Sequence, residues 1–164
     1  MDPLEPAQMR TYFALTEAVS LLQHAVQQQL QAEGGLSYVQ FEILAKLADA
    51  GRALSMTELA DGVVYSRSGL THQAELLQRS GLISRHRNPQ DQRATLVEIT
   101  TEGRDRVARV LPGHIQVVRR LLFDPLSDQD VSALGDIMNR ALQQMRALPP
   151  RSAAPRRRER SGPR

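Results

Sequence analysis

The chain contains no cysteine and no tryptophan. Without thiols it has no disulfide, thiolate metal site, cysteine nucleophile or thiol-based redox switch. Aromatic residues are 4% of the composition, and the apolar stock is mainly Leu, Val and Ala, which suits helices packed on helices better than a β-sandwich. No stretch approaches the roughly 20 uninterrupted apolar residues of a membrane span, and the acidic, proline-bearing start from Met1 to Pro6 lacks an export signal, so a cytoplasmic protein without membrane contact is expected. His24, His72, His86 and His114 are scattered with no H-x3-H pair, which provides no metal-ligand cluster. No carboxylate pair, His-supported nucleophile or glycine-rich phosphate loop stands at usable spacing, so no catalytic residue, no cofactor and no enzyme activity are expected.

What is present is unevenly placed. The formal net charge is +3, but residues 146–164 hold seven Arg and one Glu, a net +6, which leaves residues 1–145 at −3. A nucleic-acid surface in the folded part must therefore arise from local clustering. The end of the chain, PPRSAAPRRRERSGPR, has no apolar periodicity to offset the entropy of ordering, so residues 148–164 are expected to be a disordered Arg/Pro-rich tail. It is either a solvated end or a source of sequence-independent phosphate contacts.

The 164 residues suffice for one folding unit. After Pro6 no Pro or Gly interrupts the chain up to Glu33, and Met9, Tyr12, Phe13, Leu15, Val19, Leu22, Val26 and Leu30 recur at three- and four-residue steps. This predicts one long helix over 5–33, ended by Gly34 and Gly35. Ser37 with Gln40 and Ser55 with Glu58 form capping boxes that open a second helix, closed by Gly51, and a short third over 56–62. Ser66 then caps a helix over 67–80 with Leu70, Ala74 and Leu77 on one face and Ser68, Thr71, His72 and Glu75 on the other. Two short runs, Leu82 to Arg87 and Ala94 to Thr100, flank a turn-forming loop and predict a β-hairpin. The helical period returns through Val107, Leu111, Ile115, Val118, Leu121 and Leu122, with a kink expected at Pro112-Gly113. Asp124-Pro125 breaks it, and Ser127 with Asp130 caps the last helix.

A short helix, a turn, a helix with a polar outer face and a basic hairpin together make a winged helix-turn-helix. The fold class is mainly α with a small β-hairpin wing, flanked by N- and C-terminal dimerisation helices. An α-helix fits the major groove of B-DNA, and small polar side chains in its first turns let the backbone approach base edges. Ser66, Arg67, Ser68, Gly69, Thr71 and His72 supply such a surface. Gly69, costly inside a helix by about 1 kcal/mol, marks either close approach to DNA or packing on the preceding helix. Arg85, His86 and Arg87 on one strand and Arg93 at the turn make a local positive cluster suited to a narrow minor groove, with Asp91 placed to orient Arg93.

These residues resemble the multiple-antibiotic-resistance-regulator (MarR) family. The resemblance rests on LSYVQFEIL from Leu36, LSMTELA from Leu54, YSRSGLT from Tyr65, RSGLI from Arg79, and Asp91-Gln92-Arg93 followed by Val97-Glu98-Ile99-Thr100-Thr101-Glu102-Gly103. It covers about residues 10–145. It implies a homodimer whose first and last two helices interlock and present two recognition helices to a palindromic operator in double-stranded DNA. Ser66, Arg67, Ser68, Thr71 and His72 match the recognition helix, and Asp91 and Arg93 the wing tip. It implies dimerisation by residues 1–35 and 101–147, DNA binding by 36–100, and a small-molecule effector, often aromatic, that weakens DNA binding and so releases a repressor. Tyr12, Phe13, Thr16, Tyr38, Phe41 and Ile115 are the candidate effector pocket. The missing Cys removes the thiol-oxidation branch of the family, the missing Trp speaks against the urate-responsive branch, and the scattered histidines against the zinc-responsive one.

The dimer has separate support in the residues, because the apolar stripes of the first and last helices exceed what the small winged lobe can cover. A competing reading is a winged-helix dimer that serves as a protein-interaction scaffold without ligand control. Arg67 and Arg93 stand against it.

Overall fold

The structure is a computed structural model, and it describes residues 3–62, 67–89 and 94–147. The elements run α1 (Pro6–Gly34), α2 (Tyr38–Ala50), β1 (Leu54–Ser55), α3 (Met56–Gly62), α4 (Arg67–Arg79), β2 (Ile83–Arg87), β3 (Thr95–Ile99), α5 (Thr101–Val118), a π-helical turn (Arg119–Phe123) and α6 (Asp128–Arg146). The tail from residue 148 and Ser66, Asp91 and Arg93 lie outside the described residues, as do the side chains of Arg67 and Ser68.

Local chemistry sets most boundaries. Gly35 ends α1 in the left-handed region at φ 64°, where its amide bonds the Gln31 carbonyl and that of Leu36 reaches back to Leu30. Both boxes expected for α2 and α6 are closed: Gln40 N donates to Ser37 Oγ at 3.2 Å and Asp130 N to Ser127 Oγ at 3.2 Å. Another box, not foreseen, opens α1, with Glu5 N donating to Gln8 Oε1 at 2.9 Å.

The core lies in the middle of the chain. Val26 and Leu30 at the end of α1 join Leu36, Phe41, Ile43, Leu44 and Leu47 around α2, Leu59 of α3, Leu70, Ala74 and Leu77 of α4, and Val97 and Ile99 of β3. Helix α5 packs on both α1 and α2 and ties this lobe to the long helix.

The sheet is larger than the expected hairpin. Its antiparallel order is β1-β3-β2, with Leu54 opposite Val97 and Ile83 opposite Ile99. Two-residue β1 is too short to show the alternation that marks a strand in sequence. The hairpin strands are each trimmed where a terminal residue serves a helix. Leu82 N closes the end of α4 on the Leu77 carbonyl at 3.0 Å, and Thr100 caps α5 by accepting from Gly103 N at 3.1 Å.

Helix α5 continues through Pro112 to Val118. The α period that was expected to reach Leu122 stops there. In the turn that follows, the Asp124 amide bonds the Arg119 carbonyl five residues back at 2.8 Å, and Pro125 has no amide with which to continue.

Candidate nucleic-acid interface

Helix α3 is anchored by a polar clamp. Ser55 N donates to Glu58 Oε2 at 2.8 Å, Glu58 N donates to Ser55 Oγ at 3.1 Å, and Arg52 Nη2 donates to Glu58 Oε1 at 2.8 Å. The Arg52 hydrogen bond, followed by those from Ser55, holds the Glu58 carboxyl down to about 2. Because the box closes on the first turn of α3, it fixes the angle at which that helix leaves the sheet.

Helix α4 lies beside it with Leu70, Ala74 and Leu77 fully buried. Thr71 and His72 are exposed on the outer side, and Gly69 is half-buried one turn into the helix. The backbone of Arg67 and Ser68 forms the first turn. The expected pattern of one buried and one solvent-facing side is therefore present from Gly69 onward.

Sheet register decides where the wing's cations go. Arg85 stands opposite Val97, and Ile83 opposite Ile99, so Ile83 and Arg85 share the core-facing side of β2. Arg85 is half-buried, whereas Arg87 near the loop is exposed. Asn88 N donates to the Ala94 carbonyl at 2.9 Å across the base of the wing loop. His86, opposite Leu96, faces away from Arg85 and is exposed. The three basic residues of this strand thus occupy three different settings.

Two glycines and one threonine lock the wing to the helices. A Cβ on Gly103 would run into the Leu82 carbonyl and approach Ile99 Cγ1 to 2.7 Å. Thr100 Oγ1 donates to the Gly81 carbonyl at 2.7 Å, and Gly81 itself turns the chain out of α4 at φ 72°.

The six residues named for an effector pocket are spread over the single chain. Tyr12 and Phe13 are exposed on α1 with ring centroids 5.4 Å apart, and Thr16 Oγ1 donates to the Phe13 carbonyl. Tyr38 and Glu42 pair on α2, where burial raises both above their ordinary values. Phe41 is buried against the His114 ring at 4.7 Å. Ile115 lines a cavity of about 440 Å³ with His114, Val118, Arg119 and Phe123. Of the six, Ile115 is the one on that wall. His114, Arg119 and Phe123 were not foreseen, because His114 falls off the apolar stripe and the π-helical turn resets the period that would place the other two. Desolvation holds the His114 imidazole below its ordinary value.

Helices α3 and α4 with the β2–β3 hairpin form a winged helix-turn-helix, set between one long N-terminal helix and two C-terminal ones. The MarR family model matches residues 36–95. The transcriptional repressor YetL of Bacillus subtilis is 32% identical over 141 residues, covering 84% of this chain and 84% of its own. A MarR-family transcriptional regulator of Streptomyces coelicolor, solved in complex with DNA, is 32% identical with a TM-score of 0.83, covering 88% of this chain and 91% of its own. AbsC, a MarR-family regulator of the same organism, is 26% identical with a TM-score of 0.82 over 90% and 99%. The chain belongs to the MarR family of transcriptional regulators. No helix among the described residues is long and apolar enough to cross a membrane.

Proposed function

We propose that the protein is a cytoplasmic, non-enzymatic repressor that binds a palindromic operator as a homodimer and is released by a small effector. The observation that carries DNA binding is the division of α4, whose buried Leu70, Ala74 and Leu77 seat it on the core while Thr71 and His72 stay exposed beside a wing bearing exposed Arg87. On this reading Ser66, Arg67, Ser68, Gly69, Thr71 and His72 enter the major groove. Arg87 meets a phosphate, and Arg93, oriented by Asp91, enters the adjacent minor groove. The DNA-bound state of the S. coelicolor relative supports the assignment.

Dimerisation follows from the helices outside the core. None of the side chains of α6 is buried, and Tyr12, Phe13, Leu15 and Val19 of α1 are exposed. Leu15, Val19, Leu22, Leu121, Leu134 and Met138 line an apolar groove of about 450 Å³ between α1 and α6. A second copy covers these surfaces symmetrically, with residues 1–35 and 101–147 as the dimer region and 36–100 as the DNA lobe. The effector enters the cavity at Ile115, and Tyr12, Phe13 and Thr16 reach it only once α1 is packed in the dimer. DNA and effector then oppose each other through the same equilibrium.

The test is a mobility-shift titration with the DNA upstream of the protein's own gene, comparing the parent with Ser68→Ala, Thr71→Ala and Arg93→Ala. Each substitution is expected to weaken operator binding by roughly five- to 100-fold, as loss of a base or groove contact does. Unchanged binding in all three would remove the interface assignment.

A further inference from the structure

Arg85 belongs to the basic run on β2, yet its side chain is only 20% exposed, and its guanidinium lies 4.0 Å from Glu75 Oε1. Glu75 is the sole acidic residue of α4 and is 45% exposed at its side chain. Helix α4 and β2 pack directly on each other. The Arg85 Nε is buried and has no hydrogen-bond partner among the described residues. Arg85 shares its strand face with buried Ile83 and stands opposite buried Val97. Its stem therefore lies along the apolar core edge while its charge is turned toward the helix.

We infer that Arg85 is a positioning residue that clamps the wing to α4 through Glu75 and does not itself hold DNA. The inference rests on the proposed DNA-binding reading and reassigns one residue within it. Two facts make the clamp consequential. The wing is a two-stranded lever whose loop lies beyond Arg87, so a small rotation at Arg85 becomes a larger displacement at the groove. Glu75 belongs to α4 itself, so the pair fixes the strand directly against the helix whose outer side carries exposed Thr71 and His72. Swinging Arg85 out to a phosphate would give up both effects and leave Glu75 unpaired.

The experiment measures affinity for operator and for a scrambled duplex at several salt concentrations, with thermal melts as a fold check. The variants are Arg85→Met, Arg85→Lys, Glu75→Gln, the double Glu75→Gln/Arg85→Met, and Arg87→Met as a phosphate-contact control. Arg85→Met and Glu75→Gln are each expected to weaken operator binding roughly tenfold, and the double no more than either single, the non-additivity of a contacting pair. Arg85→Lys retains most of the affinity, scrambled-duplex binding stays within about twofold, and the salt slope is unchanged. Arg87→Met lowers that slope by about 0.9.

A slope lowered by Arg85→Met as by Arg87→Met, or tighter binding by Glu75→Gln, overturns the clamp and makes Arg85 a phosphate contact. Additive losses in the double variant overturn it as well. If the parent itself shows no preference for operator over scrambled DNA, the DNA-binding reading fails. The melts then decide the clamp, since additive destabilisation by the two single substitutions rejects the pair.

Discussion

Thr100 Oγ1 donates a 2.7 Å hydrogen bond to the carbonyl of Gly81, joining the end of the wing to the turn that leaves α4. The same oxygen accepts from Gly103 N at 3.1 Å and so caps α5. One hydroxyl thereby connects the turn after α4, the end of β3 and the start of α5. Thr100→Val keeps the shape and removes both bonds. We expect it to destabilise the fold by about 1–2 kcal/mol, as loss of a cap does, read as a lower denaturant midpoint at constant slope.

Gly103 sits where α5 passes the Leu82 carbonyl, and a side chain there has nowhere to go. Gly103→Ala gains helix propensity yet is expected to lose about 1–3 kcal/mol through the displaced backbone. Chemical denaturation checks the sign. A stabilised variant would show that α5 and the wing yield at this point.

The carboxyl of Glu58 is held at about 2 in the folded chain, below its ordinary 4.5. A depressed folded value means that the stabilisation is present above pH 4.5 and is lost as pH falls toward 2. Glu58→Gln is therefore expected to lower stability at neutral pH and to flatten the acid decline between those two values. Melting temperatures across that range test it, and parallel declines would contradict it.

His114 is held below its ordinary 6.5 by burial against Phe41. Its neutral form stabilises the fold above pH 6.5, and that contribution is lost as pH falls through the lowered folded value. His114→Leu is expected to lessen the loss of stability as pH falls below 6.5, measured by the same melts.

Much of the fold was legible because its signals are local. Ser37 with Gln40, Ser55 with Glu58 and Ser127 with Asp130 mark helix starts within four residues, and Gly35, Gly51 and Gly81 mark stops. The box at Glu5 was missed because Glu is not among the usual capping residues. Strand β1 was missed because pairing with β3, 40 residues away in the chain, defines it. For the candidate site, the sequence located the elements, α4 and the β2–β3 hairpin, on which the proposed residues stand. Whether Arg85 faces α4 depends on its register with Val97, and whether His114 meets Phe41 depends on how α5 crosses α2. Neither relation is written within a local window.

The most direct test of the central claim is hydroxyl-radical footprinting of the parent protein on the DNA upstream of its own gene. A dimer that presents two copies of α4 predicts two protected half-sites related by two-fold symmetry, with centres about 10–10.5 base pairs apart or a multiple of that. Uniform protection without a phased pair of half-sites, at concentrations where the complex forms, would contradict it.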